Sequence, residues 1–487
     1  TAMALLGSDW QGRIYSGGWV DGTGGTRDVV SPSTGEVIGS IGIASADDVA
    51  RASAAAVEAQ RAWAATPYNE RAAVLRRAGD LWHANADEIT DWLMRETGAI
   101  GPFGGFQIMT SAEECYEAAA LASTPYGELL RSSSPRLSMA RRVPVGVVGV
   151  ISPFNVPTIL SIRAVAPALA LGNAVILKPD PRTSVAGGAV LAEIFRAAGL
   201  PDDVLHVLPG GVETGEALVA DPRVPVISFT GSTRGGRAVA ALGAQHLKRV
   251  HLELGGNSAL LVLDDVDVDA ASSVGAWGSF AHQGQVCMTT GRHLVLSSIA
   301  DDYVSALSAR ADHLPVGDPT TGQVALGPVI DAGQRDKIHG MVTSTVDAGA
   351  RLAAGGTYED LFYRPTVLDS VPLDSAAYRE EVFGPVAPVV RVDSVEQAIA
   401  LANDSDYGLS LGILTTDVMR GLEIAEQIPT GLVHINDQTI NDEATIPFGG
   451  TGISGTGGRL GGAAANIEAF THTQWVTVRG TLPQYPF

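Results

Sequence analysis

The 487-residue chain has two cysteines, and one of them lies in surroundings that suit a nucleophile. Cys287 lies in residues 284–291, between two glycines and just before two threonines, where backbone N–H groups can approach a bound oxygen. A nucleophilic cysteine needs thiolate character, which a positive potential or a nearby base must supply. The alternative is a small, buried apolar side chain. Cys115 lies in an acidic stretch that disfavours the thiolate, so we expect it to be unreactive.

Glu253 is the candidate base. It closes a predicted strand at 251–254 and precedes the turn Gly255-Gly256. A carboxylate at the C-terminal end of a parallel strand faces the crevice in which doubly wound sheets bind ligands. Partial burial would raise its pKa and suit it to general-base catalysis. The alternative is an ordinary strand-end carboxylate that accepts hydrogen bonds from backbone N–H groups.

Two further segments could bind phosphate or ribose groups. Residues 229–236 (Phe-Thr-Gly-Ser-Thr-Arg-Gly-Gly) follow a predicted strand and open a helix, whose N-terminal N–H groups suit an anion. Lys178 follows another strand, although a surface lysine is the plain alternative. Histidine, cysteine and acidic residues show no metal-ligand spacing, so no metal is expected.

Such side chains must be brought together by a regular scaffold. Five apolar segments alternate with helical ones and predict parallel strands at 145–151, 174–178, 204–208, 224–229 and 249–254. A second alternating series begins at 259–263, so a second domain is expected from about residue 255. The predicted fold class is therefore α/β, with two doubly wound, Rossmann-like domains.

Local signals mark an arm and several helix ends. Residues 126–143 are polar and β-like, which predicts an exposed hairpin that forms a small oligomerisation arm with the tail 471–487. Ser45 is predicted to cap a helix that runs to about Arg61. Asn69 is expected to cap the next helix, and Gly98 to end the one after.

Composition and charge exclude several classes of protein. Lys and Arg total 32 against 53 Asp and Glu, and the resulting net charge of −21 opposes binding to nucleic acid. Four prolines interrupt the apolar stretch 143–177, so it is not expected to span a membrane. Residues 1–10 show no targeting signal and two cysteines are too few for a disulfide framework, so a cytoplasmic location is expected.

Together the segments resemble those of the NAD(P)-dependent aldehyde dehydrogenases over essentially the whole chain. The matching blocks, which occur in the family's order, are 151–157 (Ile-Ser-Pro-Phe-Asn-Val-Pro), 178–179, 229–236, 253–256, 284–287, 380–385 and 447–450. Residues 151–155 and 178–181 (Lys-Pro-Asp-Pro) are especially similar to the benzaldehyde, vanillin and salicylaldehyde dehydrogenase branch.

The resemblance implies the catalytic roles and the cofactor. Cys287 would attack the aldehyde, Glu253 would activate water, and the Asn155 side chain would donate to the oxyanion beside the Cys287 N–H group. NAD would be bound by the residues at the family's cofactor positions, which are Ile151, Ser152, Pro153, Phe154, Lys178, Gly211, Gly231, Ser232, Gly236, Leu254, Glu381 and Phe383. NADP is also expected to be accepted. Pro181 stands where NAD-preferring members often carry a glutamate, and Asp180 moderates this effect.

Arg163 is the lone charge in the apolar stretch that follows Asn155. One interpretation is an arginine that extends to an ion-pair partner; the other is a group that flanks an aromatic substrate. Leu160, Met288 and Phe448 are the candidate apolar neighbours in that substrate pocket. With the branch resemblance, a small aromatic aldehyde is the predicted substrate, with an aliphatic aldehyde or semialdehyde as the alternative.

The expected domains follow the same resemblance. Residues 1–125 and 144–254, with part of 453–470, would bind the dinucleotide, and 255–452 would carry the nucleophile. A homodimer or homotetramer is expected. The rival functions are an acylating dehydrogenase that transfers the acyl group to coenzyme A, a cofactor-free cysteine hydrolase and a non-catalytic relative. Glu253 in a water-activating position argues against the acylating dehydrogenase. The presence of both Cys287 and Glu253 argues against the non-catalytic relative.

Overall fold

The first half of the chain alternates strands and helices in the computed structural model, which describes residues 4–487. Its strands are β1 (Ile14–Tyr15), β2 (Trp19–Val20), β3 (Thr26–Val30), β4 (Val37–Gly42), β5 (Gly127–Leu129), β6 (Leu137–Pro144), β7 (Val147–Ile151), β8 (Ala174–Lys178), β9 (Leu205–Val207), β10 (Val226–Thr230) and β11 (Arg249–Glu253). Its helices are α1 (Ala46–Ala65), α2 (Tyr68–Ala84), α3 (Ala86–Thr97), α4 (Gly101–Leu121), α5 (Pro157–Ala170), α6 (Val190–Ala197), α7 (Val212–Ala220) and α8 (Thr233–Gln245).

The second half has the same alternation. Its strands are β12 (Ser258–Val262), β13 (Thr290–Leu296), β14 (Arg351–Ala354), β15 (Tyr358–Glu359), β16 (Phe362–Tyr363), β17 (Thr366–Asp369), β18 (Val386–Val392), β19 (Tyr407–Gly408), β20 (Ser410–Leu414), β21 (Leu432–Ile435), β22 (Thr451–Gly452) and β23 (Thr471–Val478). Its helices are α9 (Val268–Phe280), α10 (Ser297–His313), α11 (Ala332–Asp347), α12 (Ala376–Arg379), α13 (Val395–Asn403), α14 (Val418–Ala425) and α15 (Ala463–Phe470).

The first sheet has seven strands in the order β11-β10-β7-β8-β9-β1-β2. The five predicted strands are all parallel, and β1 and β2 extend the sheet antiparallel. Strands β7, β8 and β9 are buried throughout because helices cover both faces of the sheet. Chain order reverses between β7 and β10, so the segments that follow Ile151 and Thr230 border one crevice.

The second sheet also has seven strands, in the order β14-β17-β18-β13-β12-β20-β21. All its pairs are parallel except β14 with β17. Apolar side chains fill both of its faces, which leaves β12 and β20 completely buried. The two parallel sheets confirm the predicted α/β class.

The predicted hairpin is present as β5 and β6, and the tail strand β23 pairs with β6 along its whole length. This three-stranded sheet exposes large apolar side chains: Leu129 is 78% exposed and Trp475 is 64% exposed. Its role in assembly stays a prediction.

Several predicted helix ends are confirmed and one is wrong. Ser45 and Asp48 form a capping box at the start of α1, and Gly98 ends α3 with a left-handed backbone (φ 75°). Asn69 does not cap α2, because that helix already begins at Tyr68, directly after Pro67. Among residues 4–487, no helix is both long and apolar enough to cross a lipid bilayer.

Candidate active site

The segment from Glu253 to Gly256 connects the two sheets, since it begins at the last residue of β11 and leads into β12. The Gly231 N–H group donates to the Glu253 carbonyl oxygen (3.0 Å), which ties the segment to the turn after β10. A Cβ atom on Gly256 would collide with the carbonyl oxygen of Cys287. A glycine is therefore required where the loops that carry the two catalytic candidates meet.

The Cys287 loop is anchored by hydrogen bonds on its N-terminal side. It follows a 3₁₀ turn in which His282 (φ 52°) and Gln283 (φ 58°) have left-handed backbones. The Gln283 side chain donates to the carbonyl oxygens of Gly98 (3.1 Å) and Pro328 (3.0 Å). Cys287 itself is half-buried, and its thiol borders a cluster of buried apolar side chains.

Asn155 is attached to the same loop through both its side chain and its backbone. Its Nδ2 atom donates to the carbonyl oxygen of Gln285 (2.8 Å), and its own carbonyl oxygen lies 2.7 Å from His282 Nε2. The His282 ring in turn stacks on Phe103, with centroids 4.4 Å apart. The structure thus brings Asn155 to the cysteine, as predicted. His282 is not among the residues predicted from the sequence, where its position five residues before Cys287 is its only signal.

The charged side chains around Cys287 mostly disfavour its thiolate. Burial raises the pKa of the thiol, and the nearby carboxylates of Glu253, Glu381 and Asp442 raise it further. Arg163, which is paired with Glu114 and Asp442, acts in the opposite direction and lowers it. The described side chains therefore favour the neutral thiol, and the route to its thiolate stays a prediction.

Glu253 has the environment of a general base. It is 5% exposed, and neither of its carboxylate oxygens has a hydrogen-bond partner among the described residues. Burial accordingly raises its pKa. The alternative prediction, a carboxylate bonded to backbone N–H groups, is wrong.

Arg163 forms ion pairs with two buried carboxylates. Its Nε atom lies 3.4 Å from Glu114 Oε1, and its Nη2 atom contacts Asp442. The guanidinium also stacks over the ring of Phe448, 4.8 Å from the centroid. Arg163 is 4% exposed, so the ion-pair interpretation is confirmed, with buried rather than surface partners. Contact between Arg163 and substrate stays a prediction.

The apolar candidates divide into two groups. Met288 and Phe448 belong to one cluster, and Cys287 and Phe103 pack against it. Leu160, in α5, is half-buried and is not a member of that cluster. The cluster gives the cysteine a wall of apolar and aromatic side chains.

The predicted cofactor residues of the first sheet line its carboxyl edge. Ser232 caps α8, where its hydroxyl accepts from the Gly235 N–H group (3.1 Å), and Gly236 packs against Leu254. Lys178 is buried and its Nζ atom donates to the carbonyl oxygen of Gly210 (2.5 Å). Burial lowers the pKa of this lysine to about 8. The remaining predicted positions on this edge are Ile151, Ser152, Pro153, Phe154, Gly211 and Gly231.

Two residues that follow α12 face this edge from the second sheet. The Glu381 carboxylate lies on Gly255, where a Cβ atom would collide with it, and burial raises its pKa to about 7. Phe383 has a left-handed backbone (φ 55°), and its ring meets that of Phe154 edge-on with centroids 5.9 Å apart. Helix N-terminal N–H groups, a lysine and a second carboxylate fit the pyrophosphate and riboses of a dinucleotide.

Comparison with known proteins decides the family. The family model described as "Aldehyde dehydrogenase family" matches residues 19–476. The chain belongs to the aldehyde dehydrogenase family. This membership confirms the predicted fold and the class of NAD-dependent oxidoreductases.

Individual aldehyde dehydrogenases match the chain over nearly its full length. A vanillin dehydrogenase of an Amycolatopsis species is 64% identical, with 100% of both chains covered. A benzaldehyde dehydrogenase [NAD(+)] of Pseudomonas putida is 50% identical, with 98% of both covered. The crystal structure of a salicylaldehyde dehydrogenase from Pseudomonas putida G7, complexed with salicylaldehyde, superposes with a TM-score of 0.93 at 36% identity, covering 98% of this chain and 99% of that chain.

Because the pKa of the Cys287 thiol is raised, we expect it to react slowly with an alkylating reagent at neutral pH. Without cofactor, iodoacetamide should modify Cys287 slowly at pH 7 and faster as the pH rises, while the buried Cys115 remains unmodified. Glu381→Gln should accelerate the reaction at a given pH, because it removes a negative charge that disfavours the thiolate. Cys287→Ser is the control, and peptide mass spectrometry identifies the site. Rapid, pH-independent modification of Cys287 near pH 7 would contradict the described electrostatics.

Proposed function

We propose that the protein oxidises small aromatic aldehydes, such as benzaldehyde, vanillin or salicylaldehyde, to carboxylic acids with NAD. The observation that carries the substrate class is the apolar cluster beside Cys287, which includes the aromatic ring of Phe448 and borders Phe103. The identities of 64% and 50% to a vanillin and a benzaldehyde dehydrogenase support the same class.

In the first half of the reaction, the thiol of Cys287 releases its proton to water, while Glu253 stays ionised. The sulfur then bonds to the aldehyde carbon. The alkoxide that forms accepts hydrogen bonds from the Cys287 N–H group and from Asn155 Nδ2, which has a second hydrogen besides the one bonded to Gln285. A bound NAD would supply the acceptor for the hydride of that carbon, and the oxidised carbon would remain on Cys287 as a thioester.

In the second half, Glu253 removes a proton from water. The water oxygen bonds to the thioester carbon as the carbon–sulfur bond breaks, which releases the acid and the Cys287 sulfur. Because burial raises the pKa of Glu253, its carboxylate accepts a proton more readily than an exposed glutamate would at neutral pH. The same shift requires activity to fall as the pH drops through that raised value, since the protonated carboxyl group cannot act as a base.

The cofactor residues follow from the crevice. Ser232 and the glycine turn around it would hold the pyrophosphate, Lys178 the adenine ribose, and Glu381 with Phe383 the nicotinamide end. Acceptance of NADP stays part of the proposal, because Pro181 brings no carboxylate to the ribose. Asp180 is partly neutralised by Arg182, whose Nη2 atom lies 2.9 Å from it.

The division of labour between the domains is also proposed. The unit built from residues 1–125 and 144–254, with part of 453–470, would bind the dinucleotide, and 255–452 would carry the nucleophile. The sheet of β5, β6 and β23 would associate with another copy of the chain in a homodimer or homotetramer, a role supported by its exposed Leu129 and Trp475.

A panel of aldehydes tests the substrate class. When NADH formation is followed, kcat/KM for benzaldehyde, vanillin or salicylaldehyde should be at least tenfold above that for hexanal. A tenfold ratio corresponds to about 1.4 kcal/mol, which is the size of one aromatic contact. Phe448→Leu should reduce this ratio, because it removes a ring beside Cys287. Leu432→Met, in the same cluster, should leave it nearly unchanged. Equal use of hexanal by the unmodified protein would reject the aromatic class.

Asn155→Ala tests the oxyanion role. Loss of one donor should lower kcat by ~10²- to 10³-fold while NAD binding, measured by fluorescence titration, is retained. The rate of Cys287 alkylation serves as the control for the loop, because Asn155 also bonds Gln285. Near-normal turnover would reject the assignment, and so would a loss of NAD binding that fully accounts for the defect.

A further inference from the structure

His251 lies beside the proposed base, and no step described above uses it. It precedes Glu253 by two positions on β11, so both side chains project from the same face of the strand. His251 Nε2 lies 3.4 Å from Glu253 Oε1. The histidine is 8% exposed, and neither its Nε2 atom nor the Glu253 oxygens have a hydrogen-bond partner among residues 4–487 in the described geometry.

The other edge of the His251 ring faces the surface. A Cβ atom on Gly458 would lie 2.9 Å from His251 Nδ1, closer than a side chain can approach. Gly458 belongs to an exposed stretch with Thr456 and Gly457. The imidazole therefore lies between the buried carboxylate of Glu253 and the exposed loop that contains Gly458. The absence of a side chain at Gly458 allows the ring to contact this loop.

The reaction needs a route of this kind. Oxidation of an aldehyde with water and NAD yields the carboxylate, NADH and protons, and the proposed base collects one of those protons, taken from water, at a buried carboxylate. Glu253 cannot act again until it has lost its proton, and His251 lies 3.4 Å from its carboxylate. Arg163 and Arg459 also act on Glu253 electrostatically, but a guanidinium group has no site that accepts a proton. Imidazole can accept a proton at one nitrogen and release one from the other.

We propose that His251 carries protons from Glu253 to solvent during turnover, an inference that rests on the proposed role of Glu253 as the base. In each transfer the Glu253 proton passes to His251 Nε2, and a proton leaves His251 Nδ1 for water at the exposed loop. Glu253 thereby returns to the carboxylate form, and the neutral imidazole returns to its Nδ1–H tautomer before the next transfer.

His251→Ala separates this role from the chemistry at the cysteine. The first turnover of NADH formation, followed by stopped flow with enzyme in excess over aldehyde, should keep the rate of the unmodified protein, because Glu253 begins ionised. Steady-state turnover should fall about tenfold, less than the 10²- to 10⁴-fold effect of a direct acid–base group. His251→Gln, which retains bulk but cannot relay a proton, should show the same defect if the alanine variant folds poorly.

Chemical rescue distinguishes a relay from a merely structural role. Imidazole should restore steady-state turnover of His251→Ala in proportion to its concentration, whereas pyrazole, which has a similar shape but is a much weaker base, should not. His434→Ala, in β21, is the matched control and should show no response to imidazole. Equal rescue by both compounds, or no rescue, would overturn the relay.

The two levels of the proposal can fail separately. If the unmodified protein forms no NADH with any aldehyde of the panel, the proposed function fails. If the unmodified protein turns over, Glu253→Gln stalls after its first turnover, and both His251 variants keep the full steady-state rate, only the relay is overturned.

Discussion

The close approach of Gly256 to the carbonyl oxygen of Cys287 is the constraint on which the rest of the site depends. It joins the segment that ends the first sheet to the loop that carries the thiol, and no side chain fits between them. Glu253, three residues earlier, and Glu381, whose carboxylate lies against Gly255, are positioned by the same segment. The base, the nucleophile and one wall of the cofactor crevice are therefore set by a single backbone contact. The Asn155–Gln285 hydrogen bond adds the oxyanion donor to this group.

Burial gives these groups the protonation states that the chemistry needs. The thiol is held neutral by desolvation and by nearby carboxylates, and the pKa of Glu253 is raised by the same loss of water. A neutral thiol reacts poorly with chance electrophiles, and a carboxylate of raised pKa is a stronger base. Arg163 favours the thiolate, but Glu253, Glu381 and Asp442 oppose it, and the guanidinium is held by Glu114 and Asp442 against the ring of Phe448. Removing one partner of a buried ion pair lowers the stability of the fold, because the other charge is left buried and unpaired. The ion pairs of Arg163 therefore hold the wall around Phe448 in place.

The features that the sequence predicts well are those set by neighbouring residues. Apolar runs bounded by turns marked β7 to β11, and Ser45 and Gly98 marked helix ends, because burial periodicity and backbone capping act locally. The prediction that Asn69 caps α2 is wrong because the helix already begins at Tyr68, directly after Pro67. Arg163 stood out as a lone charge, but its partners Glu114 and Asp442 are remote in sequence and only folding brings them to it. His251 and His282 carried no pattern of their own, since their meaning lies in contacts with Glu253, Asn155 and Phe103.

The central claim is that Cys287 forms a thioester that only Glu253 allows water to cleave. It is tested most directly by mass spectrometry of Glu253→Gln after incubation with NAD and benzaldehyde. The account predicts a benzoyl group on the peptide that contains Cys287, together with at most one NADH per protein chain. A benzoyl group on another residue, or continued turnover at the rate of the unmodified protein without any adduct, would contradict it.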